Sequence, residues 1–255
     1  MTVCWEDSFD SLNAVASWAR RFLREEKMIR VAHRGLSGLY PENTLEAFAA
    51  ALTYRPEMME LDVQLTRDGQ VVVFHDETLY RMGKREGWLN DFTYRELQEL
   101  PVKVPLFEEY MELIRDVPIE TFVELKDSFV VYPGLAEKTL AIAEKYGRVK
   151  DCVFFSGNHF SAVHCREIHA DARVCFNFDH WIFEEGAYCR KHGVHYAITY
   201  FLSLTDEIVR DYNQNDVQVF PWTVDDPVQM RRMSDMGVDG LLTNRVDIMT
   251  EEFKR

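Results

Sequence analysis

A chain of 255 residues and 30.0 kDa, with 47% hydrophobic and 28% charged side chains, has ample material for one large core. A formal net charge of −14 argues against nucleic acid or an anionic membrane as a partner, and the longest apolar runs are far too short to cross a bilayer. Residues Met1–Asp10 lack the basic start and apolar stretch of a secretory signal, so the expectation is a cytoplasmic protein with no stable membrane anchoring. The five cysteines are an odd number without CxxC spacing, which argues against a disulfide framework and a thiolate zinc site.

Along the chain, Ser8–Lys27 reads as an amphipathic helix placed before the first strand. Eight β-branched and aromatic runs follow: Ile29–His33, Met58–Leu65, Ile119–Lys126, Cys152–Ser156, Arg173–Phe178, Val194–Thr199, Val217–Val224 and Gly240–Thr243. Helical patterns fall between them, at Asn43–Tyr54, Leu106–Arg115, Leu135–Tyr146, Thr205–Asn213 and Pro227–Met236. Asn43 is positioned to cap the first of these, with Glu46 completing a capping box. Gln70–Phe74 follows the second strand after only Arg67-Asp68-Gly69, too short for a parallel crossover, and reads as a hairpin that sets His75 opposite Asp62. The expected fold is α/β: a (β/α)8 TIM barrel in one domain, with an extra hairpin after the second strand and Ser8–Lys27 capping its bottom.

In such a barrel functional groups gather at the C-terminal ends of the strands. Residues two apart on a strand share a face, so Glu60 and Asp62 project together, as do Glu124 and Lys126. Paired carboxylates repel unless a cation lies between them, and a hard divalent metal is the natural resolution. His33 and Trp222 also lie late in their strands. His159, His164 and His169 recur every five residues, a spacing that does not stack on one helix face, and are read as surface or structural. Met230, Met233 and Met236 read as a packing stripe.

These residues resemble the glycerophosphodiester phosphodiesterase family: AHRG at 32–35, PENT at 41–44, ELDV at 60–63, TRDG at 66–69, VVVFHDETL at 71–79, ELK at 124–126, PWTVD at 221–225 and GVDGLLTNR at 237–245. The ordered set spans about residues 29–247 and is far more specific than any one string. The resemblance implies His33 and His75 as general acid and base, and Glu60, Asp62 and Glu124 as ligands of one Mg2+ or Ca2+. It implies Arg34 and Lys126 as holders of phosphate oxygens, Trp222 as an aromatic wall for the substrate, and a glycerophosphodiester cleaved to glycerol 3-phosphate and an alcohol.

Two histidines without a Ser or Cys nucleophile motif imply attack by the glycerol 2-hydroxyl and a cyclic phosphate. Phe122 stands where the family usually has Asn, which puts one polar contact of the site in question. Two other functions compete with this reading. Cleavage of a lysolipid, a lysophospholipase D activity, needs an apolar groove that Trp181, Phe183, Tyr200 and Phe201 could line. A binding protein without catalysis is disfavoured because every catalytic position is intact.

Overall fold

The computed structural model describes residues 28–254, so the expected helix over Ser8–Lys27 and the thiol of Cys4 lie outside the described residues. The elements are β1 (Ile29–His33), α1 (Leu45–Leu52), β2 (Met58–Leu65), β3 (Val71–Val73), α2 (Tyr80–Gly83), α3 (Tyr94–Leu97), α4 (Phe107–Leu113), β4 (Glu120–Leu125), α5 (Leu135–Lys145), β5 (Cys152–Ser156), α6 (His159–Ile168), β6 (Arg173–Phe178), α7 (Glu185–Lys191), β7 (Tyr196–Tyr200), α8 (Asp206–Gln214), β8 (Gln218–Trp222), α9 (Pro227–Met236), β9 (Gly240–Thr243) and α10 (Val246–Glu252). The boundaries of β1, β2, β5, β6, β9 and α9 coincide with those read from the sequence, those of α1, β3, α4, β4, α5, β7, α8 and β8 differ by a few residues at their ends, and α2, α3, α6, α7 and α10 have no counterpart among the elements read there.

Strand β2 shows how the chain positions its chemistry. All eight of its residues are buried. Met59, Leu61, Val63 and Leu65 point outward into the main core, where they pack with helix residues such as Phe48, Tyr110 and Leu140. Met58 points the other way and joins Val31, Phe122, Val153, Phe155, Cys175, Ile198, Phe220 and Leu242 in an apolar plug along the barrel axis. Glu60, Asp62 and Gln64 follow Met58 on that inner face, above the plug. The polar stripe of this strand therefore faces inward, reversing the pattern of a surface strand.

Eight parallel strands run in the order β8-β7-β6-β5-β4-β2-β1-β9, with β3 antiparallel to β2. The ring closes between β8 and β9 through flanking backbone: Val224 N–H donates to Leu242 O at 2.9 Å and Asp239 N–H to Val219 O at 3.1 Å. The result is a nearly closed (β/α)8 barrel with the expected hairpin. Its register corrects one expectation. Val63 pairs with Val73 and Phe74 N–H donates to Asp62 O at 3.0 Å, so Phe74 lies opposite Asp62 and His75 is one residue beyond.

Helix α1 corrects another. Its cap is Thr44, whose hydroxyl accepts from Ala47 N–H at 3.2 Å. Asn43 is held with φ of +58° and turns its side chain to the barrel. Phe122 lies fully buried in the axial plug, edge-on to Phe220 with ring centroids 5.2 Å apart, and so supplies apolar filling directly below the site. Met230 and Met233 are fully buried, consistent with a packing stripe. The four described cysteines are free and buried. Among the described residues no helix is long and apolar enough to cross a membrane.

Candidate functional site

The turn after β1 is built by two consecutive left-handed residues, Arg34 (φ +56°) and Gly35 (φ +83°). A side chain at Gly35 would place its Cβ 2.6 Å from the Ala47 carbonyl carbon, so glycine is required where the turn meets α1. The turn sends the Arg34 N–H back to β2, where it donates to Glu60 O at 3.0 Å and to Glu60 Oε2 at 3.1 Å. His33, buried at the end of β1, lies with Nε2 3.8 Å from Glu60 Oε2.

The hydrogen-bond network fixes the His33 tautomer. Asn244 donates through Nδ2 to Asp225 Oδ2 at 2.8 Å, so its Oδ1 is the acceptor facing His33 Nδ1 at 2.7 Å. Ser37 donates to the same Oδ1 at 2.7 Å. Nδ1 of His33 therefore carries the hydrogen and Nε2 is left as a free base. Burial, and then the Arg34 guanidinium, push this imidazole down to about 3.

Parallel pairing of β2 with β4 sets Asp62 beside Glu124. Carboxylate oxygens of Glu60, Asp62 and Glu124 lie within 4.8 Å of one another. Their environments drive them apart in acidity. Burial and the adjacent Asp62 raise Glu60 well above the ordinary carboxylate range. Burial also disfavours an ionised Asp62, but Arg34, His75, Lys126 and a hydrogen bond from Asn43 outweigh it and hold this group far below the usual range. Burial raises Glu124.

Two cations answer the cluster. Lys126 Nζ donates to Glu124 Oε1 at 3.0 Å and lies 3.8 Å from Asp62 Oδ1, while Arg34 Nε lies 3.2 Å from Asp62 Oδ2. Burial opposes both charges, and the surrounding carboxylates more than offset it, so both stay protonated. One buried carboxylate oxygen, Asp62 Oδ1, has no hydrogen-bond partner. An orphaned anionic oxygen amid three clustered carboxylates fits a hard divalent cation, which binds through oxygen.

The chain after β3 brings in His75, whose Nδ1 donates to Asp76 Oδ1 at 2.7 Å. Arg81 then straps the hairpin to the β1 turn. It grips Asp76 through Nε and Nη2, each at 2.7 Å, and reaches Glu42 at 2.9 and 2.5 Å. Glu42 in turn accepts from Arg34 Nη1 at 3.1 Å. Glu42, His75 and Asp76 also form a carboxylate–imidazole cluster, but the guanidinium already satisfies both of its acids. Trp222 sits half-buried at the end of β8, with Nε1 donating to Asn177 Oδ1 at 3.1 Å and its ring 5.6 Å from Tyr200. Trp181 and Phe183 are exposed after β6, whereas Phe201 packs on the main core.

The structure thus gathers Glu60, Asp62, Glu124, Arg34, Lys126 and His33 into one cluster, with His75 one residue beyond the Phe74–Asp62 pairing and Trp222 at the end of another strand of the barrel. The sequence assigns Asn43 only a capping role, whereas it donates to Asp62 Oδ2 at 2.7 Å, and it assigns no role to the supporting Glu42, Asp76 and Asn244. Two of these stand in PENT, and an Asn that tolerates a left-handed backbone was the available signal.

Residues 33–248 match the glycerophosphoryl diester phosphodiesterase family, and the chain belongs to it. A relative from Caldanaerobacter subterraneus subsp. tengcongensis, described as a glycerophosphodiester phosphodiesterase, is 32% identical over 86% of this chain and 94% of its own length. A relative of the same description from Bacillus altitudinis is 34% identical over 85% of this chain and 94% of its own. In fold, the chain is similar to an Oleispira antarctica phosphodiesterase solved with its product sn-glycerol-3-phosphate. That likeness has a TM-score of 0.79 and 22% identity, covering 90% of this chain and 98% of that one.

Proposed function

We propose that this chain hydrolyses glycerophosphodiesters to glycerol 3-phosphate and an alcohol. In this reading His33 and His75 carry the protons, Arg34 and Lys126 hold phosphate oxygens, and Glu60, Asp62 and Glu124 hold one Mg2+ or Ca2+. The observation that carries it is the buried three-carboxylate cluster with its unpartnered Asp62 oxygen, set among two cations and the free Nε2 of His33. A phosphodiester resists attack because its oxygens are anionic, so a catalyst must neutralise charge and manage protons. When bound, the ion supplies part of that neutralisation.

The chain's own residues supply the rest. Nε2 of His33, neutral and free, accepts the proton of the glycerol 2-hydroxyl as that oxygen attacks phosphorus. The bond to the head-group oxygen breaks, and the departing alkoxide takes a proton from His75, whose Nδ1–H is held by Asp76. Water then opens the cyclic phosphate, with the two histidines in reversed roles. Arg34 and Lys126 stay charged because of the acids around them and meet the anionic oxygens throughout. Trp222 gives the glycerol or head group an apolar wall.

The test is a turnover screen over glycerophosphocholine, glycerophosphoethanolamine, glycerophosphoglycerol, glycerophosphoinositol and a lysolipid, with and without EDTA. Cleavage of at least one glycerophosphodiester, abolished by chelation and restored by Mg2+ or Ca2+, is expected. Activity that survives chelation overturns the ion assignment. Turnover of the lysolipid alone moves the substrate class, and inactivity on every compound with metal bound leaves a binding protein.

A further inference from the structure

We propose that Gln64 and Tyr132 are positioning residues that act on turnover through His75; the inference rests on the acid–base reading of that histidine given above. Gln64 stands two residues beyond Asp62 on the inner face of β2 and is completely buried. A primary amide taken out of water must have its two hydrogens and its oxygen satisfied. Its Nε2 lies 2.8 Å from Phe74 O, 3.1 Å from His75 O and 2.9 Å from Asp76 O. Two hydrogens thus serve three consecutive carbonyls, beyond Val73 where β3 ends.

The other end of the amide is fixed as well. Tyr132, buried in the segment between β4 and α5, donates its hydroxyl hydrogen to Gln64 Oε1 at 2.8 Å. The two ends of a Gln amide have nearly the same shape, so this hydrogen decides which one faces the carbonyls. Without it, the flipped amide would set its oxygen against three carbonyl oxygens. The backbone that carries His75 is thereby tied to the strand bearing Asp62 and to the segment that follows Lys126. The Asp76 carboxylate orients the ring; the Gln64 amide orients the peptide on which the ring hangs. A displacement of about 1 Å at a proton carrier is enough to cost about a hundredfold in rate.

Gln64→Met keeps the volume and removes both donors, and Tyr132→Phe removes one hydroxyl. Each is made in the wild-type chain and in a His75→Ala background, with kcat, KM and the thermal midpoint measured for all. In the wild-type background Gln64→Met should lower kcat by about 10–100-fold with KM held within about twofold, and Tyr132→Phe by about 3–10-fold. In the His75→Ala background each should cost less than about twofold, because the group it positions is gone. Equal fold-losses in the two backgrounds overturn the inference, as does wild-type kcat in both single variants. If Gln64→Met fails to fold, the Tyr132→Phe cycle decides alone. Wild-type turnover by His75→Ala itself is a different failure, and strikes the acid–base reading before the network is considered.

Discussion

Asn43 offers a worked test of how the site is held together. Its side chain donates to the buried Asp62 carboxylate at 2.7 Å, and its backbone sits at φ +58°. Replacement by Gly removes the side-chain hydrogen bonds, the short one to the Asp62 carboxylate and a long one from Asp62 N–H at 3.4 Å, without backbone strain, because Gly adopts this backbone freely. A hydrogen bond to a charged group contributes about 1.5–3 kcal/mol, so Asn43→Gly should destabilise by about that amount. Replacement by Ala keeps a Cβ on this left-handed backbone without the short polar side chain that lets Asn tolerate it, costing about 1 kcal/mol more than Gly. For Asn43→Ala the sum is about 2.5–4 kcal/mol, or about 5–16 °C in midpoint for a chain of this size. Since Asn43 supports a proposed ligand, turnover should also fall about 10–100-fold in both variants. Urea and thermal unfolding with parallel turnover assays measure all three quantities. Ala and Gly variants unfolding at one midpoint would refute the backbone argument, and both unfolding at the wild-type midpoint would refute the hydrogen-bond argument.

Other expectations concern the chemistry and the stability. His33→Ala and His75→Ala should each lower turnover by about 10²–10⁴-fold, and a near wild-type rate in either removes that histidine from the scheme. A substrate analogue lacking the glycerol 2-hydroxyl should be cleaved poorly or not at all; equal turnover would exclude the cyclic route. Glu185, buried at the start of α7 and accepting from Tyr212 of α8, is pushed by burial up to about 7. The folded state therefore holds a proton on this acid that the unfolded chain releases near 4.5, so its contribution is fully present below 4.5 and is lost as pH rises through 7. The stability of the wild type relative to Glu185→Gln should fall by up to about 3 kcal/mol between pH 4.5 and 8, a difference read from urea unfolding at each pH. A difference that stays constant over that range would show that the carboxyl does not titrate as stated.

How far the sequence could be read depended on the separation of the partners. The facing of Glu60 with Asp62, and of Glu124 with Lys126, was legible because a strand's two-residue period is local. The hairpin was legible from Arg67-Asp68-Gly69, although its register fell one residue away from the expected pairing. That slip was invisible in the sequence because register is set jointly by turn geometry and by which face must be buried. Asn43 was read as a helix cap, a local role open to any Asn before a helical run. The structure gives the cap to Thr44 and turns Asn43 toward a carboxylate 19 residues on. Phe122 in place of the family's usual Asn puts a polar contact in question on sequence grounds, and in the structure its ring fills the barrel axis against Phe220 and Phe155.

The alternation of strands and helices, the presence of the hairpin, and the acids, cations and imidazoles that stand at strand ends are all legible in the amino-acid order alone. Those properties follow from period, turn chemistry and residue type over a few consecutive positions. How these groups are held follows from the folded arrangement: His33 by Asn244 from the far end of the chain, Arg34 and Asp76 through Glu42 and Arg81, and the peptide of His75 by Gln64 and Tyr132. Such contacts join segments up to 211 residues apart. They exist because closing the barrel buries polar groups that must then find partners wherever the fold places them.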